Sequence, residues 1–393
     1  MKRILFISSF LTIINLPGLF SQSESDTTVY LITCGPGTET YSIYGHSAIR
    51  IAIPEKQSDT VFNWGVFDFD TPNFVWKFAK GRLDYMLGVV SLQNFLQGYF
   101  YEQRFVYSQK INLDTDETER LIALINENLK PENVNYRYDF FYDDCSTRIR
   151  DLLEKAVGGK LLYPPSEPGN MPTFRQMVGK YQNPFPWLKS GIDLIMGSPG
   201  DKKASFRDRM FLPIDMQAEL SQTVINRSGK MIPLLQNPDV ILDFDPPVTR
   251  QIFFTTPVFA FTLLLIIVII LSALLKSRKI NNIGDIFIFS IFSVLAILMI
   301  FFNFFTDHQQ MKWNLNILWL NPFILFCLLT LILKKTGTVW FRVVFFISGA
   351  FLALHFVLPQ EFNIAFLPLV IILLVRSSVR ADFDWNPLTL KLI

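Results

Sequence analysis

Cysteine and histidine are scarce in this 393-residue chain, with three of each. Three cysteines cannot build the disulfide framework of a small secreted scaffold, although a single bridge between Cys34 and Cys145 stays open. The histidines, His46, His308 and His355, are scattered, so no metal-ligand cluster appears. No glycine-rich phosphate cradle appears either, and no cofactor is expected. Charge of one sign is also lacking: 36 Lys and Arg against 34 Asp and Glu leave a net +2. With no basic stripe carrying interleaved aromatics, a nucleic-acid partner is excluded. Internal repeats and low-complexity tracts are absent.

What is abundant is apolar. Half the residues are hydrophobic, and the excess is uneven. Residues 24–250 read as an ordinary globular sequence, whereas 252–275, 284–305, 316–333, 339–358 and 362–375 form five apolar blocks. Each approaches the length that crosses a bilayer, the last only with help from its flanks. The start, "MKRILFISSFLTIINLPGLFSQS", has Lys2 and Arg3 before a short apolar stretch and small polar residues, a secretory signal pattern over 1–23. An uncleaved N-terminal anchor is the alternative. Export of the N-terminal part puts Lys276, Arg278, Lys279, Lys334, Lys335, Arg342, Arg376, Arg380 and Lys391 on the inner side, and Lys312 alone in the outer loops. That asymmetry follows the positive-inside rule for an odd number of spans and makes the C-terminus cytoplasmic. All three histidines then share the outer side. Trp313 and Trp319 are expected as interfacial residues at the lipid entrance or as simple anchors.

Within the exported part, "TTVYLITC" and "HSAIRIAI" read as strands and "TVFNWGVFDF" as an antiparallel return strand. "NFVWKFAKGRLDYMLGV" begins as a helix, and "NFLQGYFYEQRFVYSQKINL" reads as mostly extended. Acidic residues open a helix at "DTDETERLIALINENLK". Another helix begins at Cys145 and stops at Gly158-Gly159, with Ile149, Leu152, Leu153 and Ala156 on the side of the cysteine. Residues 160–186 read as a wrapping loop, and "FPWLKSGIDLIMG" and "MQAELSQTVINRSG" as short helices leading to the membrane.

A cysteine at a helix N-terminus is a recurring nucleophile position, because unpaired amides and the helix dipole favour the thiolate. Asp143 and Asp144 oppose it if they face the sulfur. The base would be His46, the one histidine of the exported part, preceded by glycine and flanked by small residues. Packing of a buried cysteine is the competing explanation.

The combination "LITCGPGTETYSIYGHSAIRI", "FNWGVFDFDTPNFVWKFAKGRLDYML", "YDDCSTRIRDLLE" and "WLKSGIDLIMGSP", followed by "FRDRMFLP", resembles the exported domain of Lnb, the lipoprotein N-acyltransferases of Bacteroidota. The resemblance covers most of 27–240, and the apolar blocks that follow also fit. The domain is similar as well to circularly permuted papain-like enzymes, in which a strand histidine precedes a helix cysteine. These resemblances imply an α+β permuted papain-like cysteine-enzyme domain followed by an all-α transmembrane bundle of five helices. In this reading 24–165 is the catalytic domain, 166–250 an extension leading to the membrane, 251–376 the membrane domain and 377–393 a cytoplasmic tail.

The resemblance assigns Cys145 as nucleophile and His46 as base. Asn63 of "FNWG" is the candidate orienting residue, provided that the strand register keeps it beside His46. Tyr44 is a candidate at the oxyanion site, with ordinary packing as the alternative. Arg82, Asp84 and Tyr85 are implied pocket residues, with a surface ion pair as the alternative. The implied activity moves an acyl chain from a membrane phospholipid, through a Cys145 thioester, to the α-amine of a lipoprotein's diacylglyceryl-cysteine. The location would be the bacterial inner membrane, with the catalytic domain in the periplasm. A cell-wall amidase or cysteine peptidase, and a non-catalytic envelope sensor, are the rival classes.

Overall fold

A computed structural model describes residues 27–165, 169, 171–246, 252–274 and 277–382. The expected signal peptide and the chain beyond 382 lie outside the described residues.

β-branched and aromatic residues with alternating burial build β1 (Thr28–Cys34), β2 (His46–Ile53) and β3 (Ser58–Val66), an antiparallel meander that β4 (Asp84–Ser91) continues. β5 (Val106–Lys110) pairs with β1, and β6 (Asn135–Arg137) with β4. β7 (Leu161–Leu162), β8 (Val224–Arg227) and β9 (Lys230–Pro233) make a separate small sheet. β10 (Asp239–Leu242) then returns to the main sheet, whose order is β10-β5-β1-β2-β3-β4-β6. Residues 166–250 are thus more than an extension, since they supply an edge strand of the main sheet.

Helices cover both faces of this sheet. The short α1 (Phe74–Lys80) connects β3 to β4. α2 (Leu92–Tyr101) replaces the extended chain expected there: Ser91 caps it by accepting from the Asn94 amide. Leu92, Phe95, Leu96 and Tyr99 then fall on one helical face and pack with Ile32, Ala48 and Val61. On the opposite face, α3 (Thr115–Asn128) and α4 (Cys145–Val157) bury Leu121, Ile125, Ile149 and Leu153 against Leu31, Ile49, Ile51 and Trp64. Each such aliphatic side chain contributes roughly 1.5–3 kcal/mol by leaving water. The expected loop 160–186 contains α5 (Phe174–Gln182), opened by a Thr173–Gln176 capping box. α6 (Pro186–Ile195) and α7 (Pro213–Ser221) follow. The stretch after α7, expected as helix, turns instead into the β8–β9 hairpin.

The remaining helices are α8 (Pro257–Leu274), α9 (Arg278–Phe304), α10 (Phe323–Ile332), α11 (Thr338–Leu354) and α12 (Leu367–Arg380). Among the described residues, four stretches are long and apolar enough to cross a membrane, one of them α10 with the 3-10 turn that precedes it. α12 is shorter, at 14 residues.

The two ends of this helical region differ in chemistry. The loops expected on the outer side touch the N-terminal domain through a polar seam. Buried Arg175 of α5 donates to Asp201 at 2.8 and 2.9 Å, and Asp201 accepts the Glu361 amide at 3.0 Å. The Asn314 side chain donates to the Leu194 carbonyl at 2.7 Å, and that of Asn363 to Asp193 at 2.8 Å. Trp319 corrects an expectation. It is fully buried between Phe292, Phe351 and Phe366 and donates to Asn316 at 2.9 Å, so it is a core residue. Trp313, by contrast, is 77 % exposed.

At the other end, fully buried Asp285 of α9 binds Arg376 at 2.6 Å and Arg380 at 2.5 Å. Arg376 also donates to Ser272 of α8 at 2.6 Å. Arg376 therefore ties α8 to the α9–α12 pair. Asp285→Ala strands two guanidinium groups and is expected to destabilise the bundle by about 3–5 kcal/mol, measured as a lower midpoint in thermal unfolding of detergent-solubilised protein.

Candidate functional site

Asp144 ends the chain's approach to α4 in extended geometry and caps the helix. Its carboxyl accepts from the Ser146 amide at 2.9 Å and the Thr147 amide at 2.8 Å. Cys145 is thereby the first helical residue, and its own amide is left unused by the cap. The helix lies on β2, where the Ser47 amide favours the ionised sulfur and Ser146 Oγ sits 3.9 Å from Sγ. Ser146 and Ser47 hydroxyls meet at 3.5 Å. Asp143, the other acidic neighbour, turns away to a two-pronged bond with Arg148 at 2.5 and 2.9 Å.

The imidazole of His46 opens β2. Ile49 pairs with Phe62 across the β2–β3 ladder, and one residue on, Asn63 falls on the same face as His46. Nε2 of His46 accordingly donates to Asn63 Oδ1. With Nε2 carrying the proton, Nδ1 keeps its lone pair. No hydrogen bond joins Nδ1 to the sulfur in this conformation, among the described residues. Gly65 lies close to both side chains. A methyl group built there would sit 3.9 Å from Cys145 Cβ and 4.0 Å from His46 Cε1. Its φ of +92° is a glycine conformation, at a point where the β3–β4 register shifts. A side chain at position 65 would therefore crowd both Cys145 and His46.

Burial decides the charges. It pushes the Cys145 thiol up, against hydrogen bonds from Ser47, the Ser146 hydroxyl and the first amides of α4. Burial pushes His46 down to about 4; the Asn63 bond opposes this, Arg104 lowers it further and Asp144 raises it. The Asp144 carboxyl is raised well above its usual range by burial and by the neighbouring sulfur. The resting pair is therefore a neutral thiol beside a neutral imidazole. Helix position alone does not produce a standing thiolate, because desolvation outweighs the dipole.

The other sequence-derived residues lie elsewhere. Cys34 faces the α2 side with Ile32 and Ala48, whereas Cys145 packs with Ile49 on the α4 side. All three cysteines are free, so the Cys34–Cys145 bridge does not form. Burial drives the Cys34 thiol up to about 12. The Tyr44 hydroxyl accepts from Gln182 at 2.7 Å and its ring packs on Phe140 at 4.9 Å. Arg82 pairs with Asp307 at 2.6 Å and Asp84 with Arg137 at 3.2 Å, both on the surface. Tyr85 stacks on Tyr138 at 4.5 Å. Neither Arg82 nor Asp84 is tied to Cys145 or His46. Instead Arg82 lines a cleft of about 440 Å³ with Gly81, Arg137, Tyr138, Asp139, Asp307 and Gln309. Burial raises the Tyr138 phenol well above its usual value, with Asp144 and Cys145 adding to the effect. Gln310 of the outer loop donates to Asp139 at the same place.

Three contributors escaped the sequence reading. Gly65 had a usable signal, since an isolated strand glycine marks a bulge or a close approach. The Ser47 amide and Tyr138 had none, because both act through tertiary placement. Among the described residues, no group of three or more His, Cys, Asp or Glu side chains gathers to hold a metal ion.

Comparison with known proteins adds two matches. The family model described as the Lnb N-terminal periplasmic domain covers residues 21–178, and that described as the Lnb transmembrane domain covers residues 249–382. No curated protein and no solved structure matches.

Two outcomes follow from the charges. Native alkylation of Cys145 by iodoacetamide, followed by peptide mass spectrometry, is expected to be slow at pH 7 and to accelerate above pH 9, as the raised thiol ionises. A plateau extending below pH 7 would indicate a standing ion pair instead. Asp144→Asn keeps the capping oxygen and removes the competing charge, so alkylation should accelerate at pH 8. Asp144→Ala loses the cap and is expected to lower stability by about 1 kcal/mol in thermal unfolding.

Proposed function

The chain belongs to the Lnb family, with a periplasmic N-terminal domain and a transmembrane domain, and on that premise we propose that it is an apolipoprotein N-acyltransferase. The donor is a membrane phospholipid and the acceptor is the α-amine of a lipoprotein's diacylglyceryl-cysteine. The protein sits in the bacterial inner membrane as a multi-pass protein, with its C-terminus in the cytoplasm. The N-terminal domain works as a permuted papain-like enzyme: histidine strand first, cysteine helix second, asparagine on the adjoining strand. The observation that carries this reading is the His46–Asn63 bond, which leaves Nδ1 basic across Gly65 from Cys145.

In the first half-reaction Nδ1 of His46 takes the thiol proton as sulfur attacks the ester carbonyl carbon. The oxyanion forms beside the Cys145 amide, which the Asp144 cap leaves unused, at the positive end of α4. The ester C–O bond then breaks, and His46 returns the proton to the lysophospholipid alkoxide. In the second half-reaction the neutral amine attacks the thioester carbonyl. A C–N bond forms, the C–S bond breaks, and the amine proton passes through His46 to sulfur. Because the base starts neutral and is pushed down to about 4, the acid limb of the first half-reaction lies near that value. The rate should persist as pH falls from 7 to 5 and fall away through pH 4.

The test uses full-length protein in phospholipid–detergent micelles with a diacylglyceryl lipopeptide. With donor alone, the Cys145 peptide should gain one acyl mass; adding lipopeptide should discharge it and yield an N-acylated product. Cys145→Ser and His46→Ala are expected to lose on the order of 10³-fold or more in rate. Asn63→Ala should lose on the order of 10²-fold through misorientation of the ring. Peptide-bond cleavage of the lipopeptide, or full transfer by Cys145→Ser, would overturn the assignment.

A further inference from the structure

The seven residues of α1 bury no side chain. Val75 is 78 %, Trp76 57 % and Phe78 52 % exposed, and Phe69 just before the helix 65 %. Such a cluster is out of place on a surface facing water. Its position in the molecule says what covers it. The Trp76 ring lies 5.7 Å from Phe301, near the outer end of membrane helix α9, where Phe304 and Phe305 are also exposed. The helix is pinned at that level. Asp307 donates its amide to the Lys80 carbonyl at 2.8 Å, and the His308 ring donates to the Phe78 carbonyl at 2.8 Å. Gly81, at φ +69°, passes so close that a Cβ would lie 3.0 Å from the His308 amide nitrogen. The apolar cluster therefore stands at the depth where α9 leaves the hydrocarbon.

We propose that segment 69–80 is an interfacial strap seated in the outer leaflet of the bilayer, with Phe69, Val75, Trp76 and Phe78 among the acyl chains. Lys77 and Lys80 suit this seat: Lys80 Nζ lies 5.2 Å over the Trp76 ring, and both ammonium groups can rise to lipid phosphates while their stems stay apolar. Tryptophan at such a boundary has an apolar body and a polar edge, as the headgroup layer requires.

The strap leads directly through Gly81 and Arg82, which line the cleft together with Tyr138. Seating it holds the mouth of that cleft at headgroup level, so a phospholipid ester reaches the Cys145 side without leaving the leaflet. This second part rests on the acyltransferase reading; the seating itself does not.

The experiment places Val75→Cys in full-length Cys145→Ser protein, labels it with NBD and reconstitutes it in phosphatidylethanolamine–phosphatidylglycerol nanodiscs. Glu55→Cys, on the exposed β2–β3 turn, is the reference position. The label at 75 should emit at shorter wavelength than that at 55 and lose intensity when nitroxide lipid is included. Equal emission and no quenching at 75 would overturn the seating and leave a protein partner as the occupant. A second variant, Val75→Glu with Trp76→Glu, in protein with native Cys145, should lower transfer from nanodisc lipid relative to a micellar short-chain donor. An unchanged ratio would overturn the role at the cleft mouth. Quenching at 75, together with no acyl transfer from either donor by the unsubstituted protein with native Cys145, would sink the enzymatic reading while the seated strap stands.

Discussion

The Asp144 carboxyl takes the amides of Ser146 and Thr147, and the chemistry of the site follows from that cap. A helix must dispose of its first four amides. Here two are consumed by the cap, and the amide of Cys145 is left beside its own sulfur. The cap also fixes the end of α4 over β2, where the Ser47 amide meets Sγ and Gly65 leaves room for the ring of His46. A buried carboxyl so near a sulfur would oppose a thiolate if both were charged. Burial resolves the conflict by raising both acids, so that at rest neither the sulfur nor its base holds a charge.

The membrane boundary imposes a second constraint. Polar groups buried between the N-terminal domain and the outer loops cannot be left without partners. Arg175, Asp193, Asp201, Asn314 and Asn363 bond one another and nearby backbone across the seam. The seam fixes how the domain sits on the helices, and thereby where α1 and the cleft stand relative to α9. At the far end of the bundle the same rule produces the Asp285 cluster, where one carboxylate answers two arginines.

Much of this was legible in local pattern. The period-two run 46–53, the acidic start of α3 and the glycine stop of α4 identify their elements, because each rests on contacts within one strand or helix turn. Asn63 was legible because side-chain alternation leaves only two faces to choose between. α2 was misread because its aromatic residues suit a strand as well as a helix, and Phe95 declares itself only by packing on Ile32 and Val61. Trp319 was misread for a related reason: an indole near a bilayer boundary can face lipid or the bundle core, and Asn316 and Phe366 settle which.

The residue order alone determined that a histidine strand precedes a cysteine helix, that apolar blocks follow, and that basic residues gather in alternate loops, since each is a property of neighbours along the chain. Folding decided the rest: that the thiol and imidazole rest neutral, that Cys34 and Cys145 stay unbridged in separate clusters, and that α1 stands beside α9. Those outcomes depend on desolvation and on approaches between distant segments, and neither quantity exists until the chain has closed upon itself.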